Sequence, residues 1–418
     1  MFREKTLKRI WRFGDFFLYL QHDSPIQKKA AMMKDFNFYA PTRVVFGRES
    51  EEKLPQLIQQ QGGRKVLVHY GGGSARRSGL LDKVEKMLKD AGIAYVELGG
   101  VVPNPLLSKV REGIELCRRE QVDFILAVGG GSVIDSSKAI GYGVGYEGDV
   151  WDFWDGKAVP EACLPIGVVL TIPAAGSEMS SSCVITNDDG MLKRGVNSDL
   201  SRCRFAIMNP ERTYTLPAYQ TAAGATDIMM HTMERYFSKY EDAILTDAIA
   251  EALLRTVKEA TPVVLENPED YTHRAAIMWA SSLSHNDLTE CGTEKDFACH
   301  KLEHELSGLF GVTHGAGLAA LWGSWARYVM DKHVARFEKF ARNVMGVEGA
   351  LEGIEATERF FRSIGMPVNI PELIGRQATD EEIRTMVDKC SRGGKMNIGA
   401  MEVLKPEDMT AIYRLANK

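Results

Sequence analysis

The chain has 418 residues, 44% of them apolar and 26% charged, and a formal net charge of −5. That length accommodates two domains with full cores, and the mild acidity excludes an electrostatic footprint for nucleic acid. No apolar run approaches the roughly 20 residues that cross a bilayer,.

The first 33 residues are basic, with one short apolar cluster from Phe16 to Leu20. Asp15 interrupts any signal-peptide core, and Glu4, Asp15 and Asp23 do not suit a mitochondrial presequence. They are read as an N-terminal extension of unassigned role. Seven cysteines (Cys117, Cys163, Cys183, Cys203, Cys291, Cys299 and Cys390) are odd in number and include no CxxC pair. This pattern suits a reducing, cytoplasmic location and excludes a disulfide framework or a thiolate zinc site.

From Phe36 the pattern becomes regular. FNFYAPTRVVFG alternates like edge or hairpin strands, and Ser50 to Gln61 has helical spacing. Strands are predicted at Lys65–Tyr70, Tyr95–Leu98, Val122–Val128 and Ile166–Ile172, with helices over Ser78–Ala91 and Leu106–Glu120 between them. Strand alternating with helix is the grammar of a parallel sheet covered on both faces. Beyond Asn209–Pro217 no strand is predicted. Helices are expected over Ala218–Tyr240, Asp242–Glu259, Tyr271–His285, Lys295–Phe310, Leu318–Met345 and Leu351–Ile364. The expected fold is an α/β nucleotide-binding domain over residues 34–217, with a Rossmann-like parallel sheet, followed by an all-α metal-binding domain over 218–418.

Gly129-Gly130-Gly131-Ser132 follows directly on the most apolar strand and opens a helix. Unobstructed backbone N–H groups at a helix start, backed by the positive dipole end, form an anion site. Three glycines at the end of a central strand favour a nucleotide over a plain tight turn, although the GxGxxG fingerprint is absent. The loop Gly71-Gly72-Gly73-Ser74-Ala75-Arg76-Arg77 contains no acid and offers Ser74, Arg76 and Arg77. An NAD site usually places an acid near the adenosine ribose, so this loop leans to NADP(H).

The helical half opens with Asp227 and His231, four apart and on one helical face. His300, His304 and His314 follow within fifteen residues; His300 and His304 share a helix face, and His314 falls in a short turn after Gly308 and Gly311. Asp227, His231, His300 and His314 make one oxygen and three nitrogens, a set that suits Fe(II) or Zn(II). A rival reading takes His300-Lys301-Leu302-Glu303-His304 as an HxxEH metallopeptidase motif with Glu303 as general base. It leaves Asp227, His231 and both glycine loops unexplained. A catalytically inert nucleotide-binding protein is a second alternative, which leaves the ligand set without a task.

The combination of GGGSVID, TIPAAGSE (171–178), the Asp227/His231 pair and the His300, His304 and HGAG (314–317) block resembles the iron-containing alcohol dehydrogenases. It is most similar to their NADPH-dependent butanol dehydrogenase or aldehyde reductase branch. The resemblance runs from about Lys34 to the C-terminus. It implies a dehydroquinate synthase-like architecture, a homodimer, and metal ligands Asp227, His231, His300 and His314, with His304 beside the nicotinamide as the candidate catalytic residue. It further implies Gly71, Gly72 and Ser74 at the adenosine end, and Asn104, Gly130, Gly131, Ser132 and Asp135 around the phosphates and ribose. Thr171 and Lys193 would lie towards the nicotinamide. The family often has threonine where Ala175 stands. The implied reaction is interconversion of primary, butanol-like alcohols and aldehydes by hydride transfer, with a polyol dehydrogenase or a related lyase of the same architecture as the competitor. Trp151, Phe153 and Trp154 are candidates either for the substrate pocket or for packing.

Overall fold

A computed structural model describes residues 33–418, so all but the last residue of the N-terminal extension lies outside the described residues. The first half is built on eight strands: β1 (Arg43–Phe46), β2 (Lys65–Gly71), β3 (Ala94–Val101), β4 (Phe124–Gly129), β5 (Ile166–Leu170), β6 (Ser182–Asn187), β7 (Leu192–Asn197) and β8 (Phe205–Met208). Six form one sheet in the order β1-β8-β5-β4-β2-β3, and every pairing in it is parallel. Helices α1 (Leu54–Gln60), α2 (Ser74–Arg77), α3 (Leu80–Asp90), α4 (Leu107–Glu120), α5 (Gly131–Gly143) and α6 (Asp152–Asp155) complete this half. Strands β4 and β5 are buried at every residue. Their uninterrupted apolar runs therefore meet helices on both faces, as a parallel sheet requires.

The helical half comprises α7 (Ala218–Tyr236), α8 (Ile244–Glu266), α9 (Tyr271–His285), α10 (Ala298–Phe310), α11 (His314–Met330), α12 (Val334–Phe340), α13 (Ala350–Ser363), α14 (Ile370–Ile374), α15 (Asp380–Cys390) and α16 (Pro406–Ala416). One apolar core runs from Ala222 to Ala416 and includes the fully buried Trp322, Phe337, Phe340 and Tyr413. Burying each such ring stabilises the half by about 1.5–3 kcal/mol before conformational entropy is subtracted.

Three expectations need correction. Of the alternating run at 36–47 only Arg43–Phe46 is a strand, and it is a sheet edge paired with β8 alone. Pro41 has no N–H with which to extend a ladder. The hairpin β6–β7 and strand β8 were not predicted; β7 (LKRGVN) is mostly polar and half-exposed, so no apolar run marks it. The predicted helix Leu318–Met345 begins earlier, at His314, and divides after Met330, continuing as α12 and a single π turn over Ala341–Met345.

Candidate active site

Asp227 and His231 lie one turn apart on α7, a helix buried along most of its length. His300 lies in the first turn of α10, and His314 is the first residue of α11 rather than part of a turn. Gly315 explains how His314 reaches the site. A Cβ there would stand 2.0 Å from the carbonyl oxygen of Ala223, so only glycine lets α11 start against the backbone of α7.

The side chains converge on Oδ1 of Asp227. Nδ1 of His231 is 3.5 Å from it, Nε2 of His300 is 3.8 Å away, and Nε2 of His314 is 3.7 Å away. Ligand atoms about 2.1 Å from one ion stand roughly 3.4 Å apart in a tetrahedral site, close to these separations. Among the described residues Asp227, His300 and His314 bring one ligand atom each within 4.8 Å of one another. His231 lies outside that group, although its Nδ1 faces Oδ1 of Asp227. Oδ1 of Asp227, Nδ1 of His231 and Nε2 of His300 are buried and have no hydrogen-bond partner. Such atoms are expensive to leave unpaired, so this cluster fits a cation.

Two further carboxylates back the imidazoles. Oε1 of Glu234 accepts from Nδ1 of His300 at 2.9 Å and from its backbone N–H at 3.0 Å. Glu303 accepts from Nδ1 of His314. Burial works to lower the pKa of His300, but the carboxylates of Glu234 and Asp227 outweigh it and raise the group to about 9. His231 is pushed well below the usual histidine range, chiefly by burial. Burial works to raise Glu303; its contacts with the His314 imidazole and the Lys193 ammonium prevail and hold the carboxyl well below its usual range.

Glu234, His285 and Phe297 were missed in the sequence. Glu234 had a signal, since it lies three residues after His231 on the same helix. His285 had none: it ends α9, and its Nδ1 donates to the carbonyl of Ala175 at 2.8 Å. Its ring lies 4.1 Å from that of His231. Phe297 stacks on His300 at 4.7 Å, in a left-handed conformation (φ 53°) that is unusual for a bulky residue and clusters at functional sites,. His304 is partly exposed, with its ring 5.9 Å from that of His314. Burial pushes it well below the usual range, so it is a neutral imidazole near pH 7. Among the described residues no metal-compatible group contains both His300 and His304, so the geometry an HxxEH peptidase needs is not formed.

The glycine loops lie at the C-terminal edge of the sheet, where open α/β sheets bind ligands. Register places Gly129 beside Leu170 and Tyr70 beside Val128, which brings Gly71, Gly130, Gly131 and Thr171 to one rim. Helix α5 starts at Gly131 with no side-chain cap, so its first N–H groups remain free for an anion. Ser132 lies in that first turn. Gly72 faces open space. Asn104 holds a left-handed φ of 56° just before α4. Asp135 accepts from Ser177 at 2.5 Å and from the N–H of Val184 at 2.9 Å, so its carboxylate already braces the 171–180 loop against β6. Arg76 is likewise engaged, with Glu97 at 2.5 Å and Glu85 at 3.1 Å. Arg77 is exposed and makes no ion pair among the described residues. Trp151, Phe153 and Trp154 are core residues, 8%, 6% and 2% exposed. The Trp154 indole donates to the carbonyl of Cys183. They pack in the apolar core of the first half.

The two halves meet at Lys193, which projects from β7 to within 3.3 Å of Glu303 on α10. Residues 41–210 match the family described as iron-containing alcohol dehydrogenase, and residues 221–417 match the Fe-containing alcohol dehydrogenase family, C-terminal. The chain belongs to the iron-containing alcohol dehydrogenase family. It is 40% identical over 391 residues to NADH-dependent butanol dehydrogenase A of Clostridium acetobutylicum, covering 91% of this chain and 99% of that one. It is 36% identical over 395 residues to the NADPH-dependent aldehyde reductase YqhD of Escherichia coli, covering 92% and 100%. Its fold is similar to the crystal structure of NADH-dependent butanol dehydrogenase A from Thermotoga maritima. There the TM-score is 0.89 at 40% identity, with 93% of this chain and 100% of that one covered. The protein is therefore an oxidoreductase that interconverts alcohols and aldehydes, with a parallel-sheet N-terminal domain and a helical domain after it.

Proposed function

We propose that this iron-containing alcohol dehydrogenase relative reduces aldehydes to primary, butanol-like alcohols with NADP(H), using one divalent ion, Fe(II) or Zn(II), held by Asp227, His231, His300 and His314. The observation that carries the reading is the convergence of unpartnered buried donor atoms on Oδ1 of Asp227. When bound, the ion supplies Lewis-acid polarisation of the substrate oxygen and the nicotinamide supplies the hydride.

The chain's own residues do the rest. Gly71, Gly72 and Ser74 receive the adenosine end, and Asn104, Gly130, Gly131, Ser132 and Asp135 the phosphates and ribose. Thr171 and Lys193 orient the nicotinamide half. His304, neutral and partly exposed, passes a proton between the substrate oxygen and solvent. Phe297 and His285 lie against the rings of His300 and His231 and hold them in place.

The NADP(H) reading rests on Ser74 and on Arg77, the arginine of this loop not already held by acids. The butanol dehydrogenases named above are NADH-dependent; the assay that tests the NADP(H) reading is butanal reduction with NADPH against NADH. We take residues 34–217 and 218–418 as the two domains, dividing in the stretch between β8 and α7. A homodimer is supported by the open edge of β1 and by the exposed Phe36, Phe38 and Tyr39 beside it; sedimentation equilibrium reads it directly. A cytoplasmic location is supported by seven free cysteines.

A further inference from the structure

Glu303 is the buried ionisable group at the centre of the site that the mechanism leaves without a task. It is 0% exposed. Its Oε2 meets Nδ1 of His314 and stands 3.3 Å from Nζ of Lys193. That same lysine nitrogen is 3.4 Å from Nδ1 of His314. Its Oε1 accepts from Ser307, one turn further along α10. A Cβ on Gly317 would come within 2.8 Å of Oε1, so α11 closes the remaining side. Glu303, His304 and His314 also form a metal-compatible trio. The Lys193 ammonium already stands against two of the three, and supplies the positive charge that a second ion would bring.

We propose that Glu303 is a positioning residue that couples metal binding to dinucleotide binding. The proposal rests on the assignment of His314 to the metal and Lys193 to the cofactor. An ionised carboxylate only accepts hydrogen bonds, so Glu303 fixes the proton of His314 on Nδ1. Nε2, 3.7 Å from Asp227, is then the lone-pair nitrogen offered to the ion,. The same carboxylate holds Lys193, which comes from the other half of the chain. A dinucleotide that draws the ammonium away leaves the full negative charge to His314, and makes that imidazole a stronger ligand. Each ligand thereby tightens the other, as reciprocal coupling demands.

The test is calorimetric titration of Co(II) into the metal-free full chain, with and without saturating oxidised NADP, alongside the visible absorption of the bound Co(II). The expected wild-type result is metal binding at least about fivefold tighter in the presence of the dinucleotide. Glu303→Gln should weaken the ion about 10–100-fold, change the Co(II) spectrum, and bring the ratio of the two affinities to one. Lys193→Gln, which lacks the ammonium from the start, should bind the ion without dinucleotide about fivefold tighter than wild type does, and should bring the ratio to one at a dinucleotide concentration that saturates the variant. A Glu303→Gln protein that keeps the wild-type ratio overturns the proposal. If that variant does not fold, Lys193→Gln keeping the ratio overturns it equally. A wild-type ratio of one, with both ligands bound, refutes the coupling and leaves the site reading intact. A wild-type chain that binds no Co(II) refutes the site reading and the coupling with it.

Discussion

Nε2 of His300 stands 3.8 Å from Oδ1 of Asp227, and neither buried atom has a hydrogen-bond partner. Two polar atoms from different helices are aimed at one point, and each is costly to bury alone. Replacing either removes a ligand. His300→Ala and Asp227→Ala should each lose metal and lower kcat/KM by about 10²–10⁴-fold, the worth of several kcal/mol of transition-state stabilisation. His304→Ala should keep a full complement of metal while losing activity. Elemental analysis of the purified variants checks this; a metal-free His304→Ala protein would revive the HxxEH geometry.

Metal uptake should release a proton. Glu234 and Asp227, against the effect of burial, raise His300 to about 9. The metal-free protein therefore carries a proton there at about pH 7.5, and an entering ion must expel it. His231, pushed well below the usual range, is already neutral and releases none. Apparent affinity should fall about tenfold per pH unit below 9, and one proton should leave per ion. Calorimetry in two buffers of different ionisation enthalpy counts that proton; a count of zero contradicts the protonated His300.

Gly315→Ala should damage fold and site together. Its Cβ would stand 2.0 Å from the backbone oxygen of Ala223, an atom that cannot rotate away. The start of α11 must move, and His314 with it. A loss of about 1–3 kcal/mol in the denaturant unfolding of metal-free protein is expected, with weaker metal binding beside it. Unchanged stability would mean that the two helices meet less closely than described.

If a 2′-phosphate is read by the Gly73–Arg77 loop, Arg77→Gln should lower kcat/KM with NADPH by about tenfold or more, since a charge-assisted contact contributes about 1.5–3 kcal/mol. NADH should be affected within about twofold. Arg76→Gln should matter less, because Glu97 and Glu85 already hold that arginine. Steady-state kinetics with both cofactors separates the two; equal losses for NADPH and NADH with Arg77→Gln would move the chain to the NADH side.

The parts of this structure legible in the sequence are those where periodicity and burial agree. The apolar runs of β4 and β5 and the helical spacing of Tyr271–His285 need no tertiary context. The spacing of Asp227/His231 and of His300, His304 and His314 was legible as well, because i,i+4 pairs put chemistry on one helix face. What was hidden depended on partners distant in sequence. Strand β7 is polar, because it carries Lys193 inward and pairs in a hairpin rather than in the core sheet. The tie of Glu303 to Lys193 spans 110 positions, and the contact of His285 with Ala175 another 110. Arg76 looked free in its loop because Glu97 is supplied by the neighbouring strand. Trp151 and Trp154 stay undecided between pocket and packing in the sequence because composition alone cannot tell an aromatic lining from an aromatic core.

The central claim is that one ion at Asp227, His231, His300 and His314 drives the reaction. Its most direct test is NADPH-linked reduction of butanal by chelator-treated protein, titrated with Fe(II) or Zn(II) while bound metal is counted. The account predicts no turnover in the stripped protein, and activity rising in proportion to metal until one ion per chain is bound. Full turnover by stripped protein, or an equal metal requirement in His300→Ala, would contradict it.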